Sequence, residues 1–306
     1  MQIGNFITYL AVLATANFIA IFPRKLILRC ADALGILIFL FDSHHRKVAL
    51  TNIRIAFPEF PRQKARVIAQ KSFQNMCRVV VELIFTRKII RQGKIREIIR
   101  IEGEENQKNA ARKKKGIVFI TAHYGVWELL FHANYLFSQD FVPIHVVVRP
   151  SDNPYLDTLL NKPREMLGSR TVPKKKSLKP LLKALKSNET VAILIDQNVC
   201  REEGVFVDFF GKKAATTFGA TLLALRTDAP VVPGFMRNDP ATGTYTIRFS
   251  PEIPLVRTGN LSEEIQINTQ NFIKSVENLI RERPEDWLWV HKRWKTRPAG
   301  EEEKIY

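Results

Sequence analysis

From Met1 to Pro23 no side chain carries a charge, and Ile3 to Phe22 form a nearly continuous apolar run of 20 residues. As a helix this run would span about 30 Å, one bilayer core. A cleavable signal would open on basic residues and carry a shorter apolar core before a small-x-small site. Here the first basic residues, Arg24 and Lys25, follow the run. That is the pattern of an uncleaved anchor with the following domain on the cytoplasmic side. A helix lying in the membrane plane is a second reading; a buried core helix, slightly favoured by Asn5 and Asn17, is the third. Ala33 to Phe41 is also apolar but too short to span, and it runs into His44-His45-Arg46-Lys47. It reads as an interfacial or core-packing helix.

Beyond this point the period is helical. Phe60-Pro61 opens a helix over Arg62 to Phe85, in which Val67, Ile68, Phe73, Met76, Val79, Val80 and Leu83 recur at three and four. Arg87 to Arg100 is a candidate basic face. At Gly116 the style changes. Ile117–Ile120 reads as a buried strand, followed by a turn and a helical stretch through Phe137. Further strands are predicted at Ile144–Val148, Thr190–Ile195, Val205–Phe209, Val231–Phe235 and Tyr245–Phe249, with helical segments between most of them. The organisation expected is an anchor helix at 1–23, a helical region at 24–100 and an α/β domain at 101–306.

Composition narrows the class. The 306 residues are 45% hydrophobic and 25% charged, which excludes a disordered, collagenous or disulfide-scaffold chain. A mean hydropathy of -0.11 excludes a polytopic membrane protein. The excess of 47 Lys+Arg over 30 Asp+Glu gives +17, a field that calls for an anionic partner. Residues 161 to 190 contribute strongly, with Lys174-Lys175-Lys176 at their centre. No RNP-like or zinc-finger signature accompanies the charge, so nucleic acid is not the expected partner. Cys30, Cys77 and Cys200 are odd in number and far apart, which fits a reducing compartment. No His, Cys or carboxylate group shows metal-ligand spacing, and no metal or cofactor is expected.

One segment carries chemistry. Gly-x-Ser-x-Gly, Gly-x-Gly-x-x-Gly and His-Glu-x-x-His patterns are absent, whereas Thr121-Ala122-His123-Tyr124-Gly125-Val126-Trp127-Glu128 directly follows the Ile117–Ile120 strand. In a continuous helix His123 and Glu128 would diverge by about 140°. If His123 sits in the strand-to-helix turn, Glu128 in the first helical turn can reach back. A carboxylate on one imidazole nitrogen fixes the tautomer and raises the basicity of the other. That nitrogen can take a proton from a hydroxyl as it attacks an acyl thioester, with no covalent enzyme nucleophile. The competing reading is a capping or core histidine beside an unrelated surface glutamate.

Motifs around this segment extend from about Arg46 to Pro298. They include Arg46-Lys47-Val48-Ala49 with Asn52, Phe57-Pro58-Glu59, His123 to Glu128, Val148-Arg149-Pro150 with Asn153-Pro154, and Arg164. Asp196-Gln197, Val205 to Thr217 and Trp287-Leu288-Trp289-Val290-His291-Lys292-Arg293-Trp294 complete the set. In these the chain resembles the late acyltransferases of lipid A biosynthesis, a branch of the lysophospholipid acyltransferase superfamily with its His-x4-Asp/Glu signature. The resemblance implies a mixed central sheet flanked by helices, of the glycerol-3-phosphate acyltransferase type. It implies an enzyme on the cytoplasmic face of the inner membrane, passing a fatty acyl group from acyl carrier protein or coenzyme A to a lipid A precursor. Carried over by position, His123 is the general base and Glu128 its orienting partner. Arg164, Asp196 and Gln197 would serve substrate binding or site geometry. Arg149 is a phosphate or sugar contact, or else an ion-paired arginine at a strand end. The family often has further polar or acidic residues after position 196, whereas Gln197-Asn198 stand here, so a glycerolipid or phosphatidylinositol mannoside acceptor stays open. A non-catalytic membrane protein that binds anionic lipid is the alternative from another class. Phe131, Tyr135, Phe137, Phe209 and Phe210 are candidates for an acyl channel, with ordinary core as the competing reading. The Trp287–Trp294 block is expected to pack on the sheet or at a membrane interface, without chemistry.

Overall fold

The computed structural model describes residues 2–132, 136, 143–239, 242–301 and 304–306. The apolar N-terminal run folds as α1 (Gln2–Ile19). Proline cannot donate to a helix and fixes its own φ, and at Pro23 the chain turns into α2 (Arg24–Phe41), bent by 120° from α1. Among the described residues no single helix is long and apolar enough to cross a membrane. The apolar run thus forms the first arm of a bent helix pair, α1 and α2, and not one straight 20-residue helix.

Asp42 caps the next helix, its carboxylate accepting from the His45 N–H at 3.0 Å. That helix is α3 (Ser43–Ala56), followed by α4 (Arg62–Arg91), which runs past the predicted end at Phe85. Helices α2 and α4 cross closely at Gly35, where a Cβ would stand 2.5 Å from the Gln74 Cα. The Arg78 guanidinium grips Asp32 beside this crossing. Arg24, at the start of α2, donates through Nε to the fully buried Glu82 carboxylate at 3.0 Å. The bend is thus tied to the body by an ion pair, and removing one partner would leave a buried charge.

The sheet domain follows. Its elements are α5 (Ile95–Ile98), β1 (Ile99–Glu102), α6 (Glu104–Ala111), β2 (Ile117–Thr121) and a 3-10 turn at Trp127–His132. Then come β3 (Ile144–Val148), α7 (Pro154–Glu165), β4 (Arg170–Pro173), α8 (Leu178–Lys186) and β5 (Thr190–Leu194). The remainder is β6 (Gly204–Phe209), β7 (Lys212–Thr217), α9 (Gly219–Thr227), β8 (Val231–Asp239), β9 (Thr244–Phe249) and α10 (Leu261–Glu282). Seven strands form one mixed sheet in the order β1-β9-β8-β2-β5-β3-β4, and β6 and β7 make a separate antiparallel hairpin. From β8 to β4 all neighbours are parallel, while β9 runs antiparallel to β8. Sheet and helices alternate as the pattern predicted, and the first strand starts at Ile99.

Parallel strands are covered on both faces, so they read as unbroken apolar runs. In β2, Val118 and Ile120 enter one hydrophobic cluster, with Leu185, Ala224 and Phe272. Ile117 and Phe119 enter the other, with Phe85 and Ile247. The chain between Thr121 and Trp127 emerges from this doubly buried strand, which gives the following turn a rigid base.

Candidate active site

The register of β2 and β5 sets the site. Thr121 pairs with Leu194, so His123 and Asp196 each lie two residues past the end of neighbouring parallel strands. This is the carboxyl edge of the sheet, where open α/β folds bind ligands. His123 Nδ1 lies 2.9 Å from Asp196 Oδ1, and the His123 backbone N–H donates to Asp196 Oδ2 at 2.9 Å. The Trp287 indole N–H donates to the same Oδ2 at 2.8 Å. The acidic partner of His123 is therefore Asp196.

Burial alone would push the Asp196 carboxyl up. The facing His123 charge, with hydrogen bonds from His123 and Trp287, outweighs burial and lowers it to about 2. An ionised Asp196 accepts from Nδ1–H, which leaves the lone pair on Nε2. Nε2 lies 3.2 Å from the Gln197 amide nitrogen, so it accepts from that amide.

Glu128 does not reach back to His123. Its carboxylate is held bidentately by Arg164, Nε at 2.8 Å and Nη2 at 2.7 Å. The expected geometry fails because the chain after His123 is not yet helical: Gly125 takes a left-handed φ of +58, and a Cβ there would sit 2.0 Å from the Met236 carbonyl oxygen. Val126 then donates to Asn238 Oδ1 at 3.1 Å, and the 3-10 turn starting at Trp127 aims Glu128 towards α7. Arg164 on α7 also covers the Phe131 ring at 5.0 Å. Trp127, next to Glu128 in the chain, sets its ring edge-on to His123 at 5.2 Å.

The structure thus gathers His123, Asp196 and Gln197 into one cluster and Glu128 with Arg164 into a second beside it. Arg149 follows the end of β3 at the same edge of the sheet, exposed and without an ion pair among the described residues. The ion-paired reading of this arginine is not what the structure contains.

The C-terminal block has a role the sequence did not reveal. Trp287, Trp289 and Trp294 are buried in the core, not set at a surface. Tyr124 bridges to Trp287, Leu288 donates its N–H to the His123 carbonyl at 3.0 Å, and Gly125 donates to the Asp286 carbonyl at 2.9 Å. Arg293, fully buried, donates to the Ala215 carbonyl at 2.6 Å and lies 3.5 Å from the Gln197 carbonyl. Desolvation brings that guanidinium down to about 10. Desolvation likewise brings the His291 imidazole to about 4, a neutral ring whose Nε2 accepts from the Asn198 N–H at 2.9 Å. Polar residues interleaved with the tryptophans were the one available signal. Phe209 and Phe210 stack within this core against Trp287, Trp294 and Phe57, which is the ordinary-core reading, and Phe131 lies buried under Arg164. Tyr135 and Phe137 lie outside the described residues. Among the described residues no group of His, Cys and carboxylates has the arrangement of a metal site.

The comparisons with known proteins decide the family. A family model described as bacterial lipid A biosynthesis acyltransferase matches residues 2–296. The chain belongs to this family. The lipid A biosynthesis lauroyltransferase of Escherichia coli (strain K12) is 31% identical over 287 residues, covering 91% of this chain and 88% of that protein. A lipid A biosynthesis acyltransferase of Haemophilus influenzae is 27% identical over 286 residues, covering 93% and 86%. The myristoyltransferase of the same pathway in E. coli (strain K12) is 26% identical, covering 84% and 77%. This member of the lipid A acyltransferases is accordingly an acyltransferase, and the His123–Asp196 cluster is its candidate catalytic centre.

Proposed function

We propose that this chain transfers a fatty acyl group from a thioester donor to a hydroxyl of a phosphorylated lipid A precursor, with His123 as general base and Asp196 as its orienting carboxylate. The observation that carries this reading is the hydrogen bond from His123 Nδ1 to a buried, ionised Asp196. The acceptor hydroxyl displaces the Gln197 amide from Nε2. As its oxygen attacks the thioester carbonyl, its proton passes to Nε2. The tetrahedral oxyanion collapses, the carbon–sulfur bond breaks, and the thiolate takes the proton back from the imidazolium. Asp196 stabilises that imidazolium without itself being protonated, as in other histidine–carboxylate pairs. Glu128 fixes the Arg164 guanidinium beside the reacting groups, where it can face a phosphate or the oxyanion.

Acyl carrier protein is the donor that this surface favours. Lys175, Lys176, Lys179, Lys183 and Lys186 are exposed on and before α8, and an acidic carrier matches such a field. Membrane attachment is proposed through α1 and α2 lying in the membrane plane. Ile3 at 78% and Phe41 at 82% exposure head a series of bare apolar side chains on both helices, an arrangement that suits the headgroup–acyl boundary.

The test is mass spectrometry of membranes carrying the protein, given acyl carrier protein thioesters and either the phosphorylated tetra-acyl disaccharide or a lysoglycerolipid. One added acyl group on the disaccharide, lost in His123→Ala, is expected. Transfer to the lysoglycerolipid alone would overturn the acceptor, and transfer surviving in the mutant would remove His123 as base.

A further inference from the structure

A cavity of about 740 Å³ lies between α1, α4 and α7, within the range of sites that hold small ligands. Ala16 and Leu13 of α1, Leu83 and Ile84 of α4 and Leu160 of α7 line it. Ala11 and, just past the end of α1, Ala20 also line it, and with Ala16 these small side chains leave its volume unfilled. The apolar end opens between Val12 and Val80, which are 42% and 56% exposed. These lie with the bare apolar face of α1, so a chain entering there would come sideways from lipid.

The opposite end is cationic, with Arg87, Lys88 and Arg91 on its rim. Lys88 is occupied, donating to the Ala20 carbonyl at 2.8 Å, which closes the C-terminal turn of α1. Arg87 and Arg91 are different: they stand one helical turn apart, and among the described residues neither has an ion-pair partner. Like charges at this spacing disfavour each other, and an anion between them would remove the repulsion. From Val80 to Arg91 the wall of α4 is about 16 Å long, the length of an extended chain of about a dozen carbons. Pro163 closes the α7 wall, and the next residue, Arg164, clamps Glu128. The α7 wall of the slot therefore borders the candidate active site.

We propose that this cavity binds one acyl chain of the phosphorylated acceptor lipid, with Arg87 and Arg91 taking its phosphate. The proposal rests on the acceptor named above and adds where that acceptor is held. The chain dissolves in the apolar slot, while the two guanidiniums provide charge-assisted contacts that a neutral lipid cannot use.

The experiment measures binding without donor, so that no turnover occurs. Native mass spectrometry of the full-length protein, released from a neutral detergent, counts retained lipid. The probes are the phosphorylated tetra-acyl disaccharide, its dephosphorylated form and phosphatidic acid. The expected result is one retained acceptor molecule, with the dephosphorylated form weaker by about tenfold or more. The double variant R87Q/R91Q should abolish that difference while leaving dephosphorylated lipid binding unchanged. Ala16→Trp should weaken both forms about tenfold, with the melting temperature as a check on folding, and Leu83→Trp from the opposite wall repeats the measurement if Ala16→Trp does not fold. Unchanged phosphate selectivity in R87Q/R91Q, or full binding in both tryptophan variants, would overturn the proposal. Phosphatidic acid displacing the acceptor at equal concentration would reassign the slot to bilayer phospholipid and overturn the acceptor assignment. Charge-dependent binding that persists while the wild type transfers nothing to the disaccharide would sink the proposed reaction and leave the slot standing.

Discussion

Asp196→Asn is the substitution that most directly tests the catalytic assignment. Two donors, the His123 backbone N–H and the Trp287 indole N–H, converge on Oδ2, while Oδ1 faces His123 Nδ1. An asparagine must give its single carbonyl oxygen to the two donors, which turns its NH₂ towards Nδ1. Nδ1 then becomes the acceptor and Nε2 carries the proton, so Nε2 can no longer accept one from a hydroxyl. The variant also loses the attraction between a carboxylate and the imidazolium, about 4 kcal/mol at 4 Å in a protein-like medium. That alone corresponds to a factor of about 10³ in rate, and the inverted tautomer adds to it. We expect kcat to fall by about 10³–10⁴, with KM for the acceptor nearly unchanged. The loss of stability is separable. The Asp196 carboxyl is lowered from 3.8 to about 2, worth on the order of 2 kcal/mol at pH 7. A depressed carboxylate stabilises above its unfolded pKa, so this contribution is full above about pH 5 and disappears as pH falls from about 4 to 2. Initial rates by mass spectrometry, taken well below the melting temperature of the variant, isolate the chemical effect. If Asp196→Asn keeps more than about a tenth of wild-type kcat while Glu128→Gln loses 10³ or more, the orienting carboxylate is Glu128 and the reasoning fails.

Further expectations concern the groups around this pair. Trp287→Phe keeps the ring but withdraws the indole N–H from Asp196, and should lower kcat by about 10- to 100-fold, one hydrogen bond to a charged group, as read by the same assay. Asp286 is buried, and desolvation raises its carboxyl to about 6, against the partial relief of Arg283. A carboxyl raised on folding holds its proton longer in the native state, so stability falls as pH rises from about 4 to 6. Asp286→Asn should therefore raise the melting temperature at pH 8 and change it little at pH 4. Burial lowers His132 and His291 from 6.5 to about 4. Both must stay neutral in the native state, so stability should drop as pH falls from about 6.5 to 4; His132→Leu should flatten that slope in melting curves recorded across the range.

What the sequence determined by itself was the local pattern and the residue types. The unbroken apolar run Ile117–Ile120 announced a doubly buried strand, and Ile144–Val148 was delimited at both ends. His123 could be placed in the turn after its strand, whereas Asp196 and Arg164 drew notice only through the family resemblance. The edge strand Arg170–Pro173 and the hairpin strand Lys212–Thr217 were missed, because polar, small and proline residues replace the apolar alternation where only one side needs cover. The partners of the charged groups were decided only by tertiary structure. Glu128 lies near His123 in sequence, but a left-handed glycine and a 3-10 turn aim it at Arg164. Asp196 is distant in sequence, but strand register carries it onto the imidazole. The same holds for Trp287 and Arg293, whose hydrogen bonds depend on a C-terminal segment folding back against the His123 turn. The N-terminal run shows the limit from the other side: its hydropathy measures affinity for lipid, but a proline and a buried ion pair at Arg24 decide that it bends.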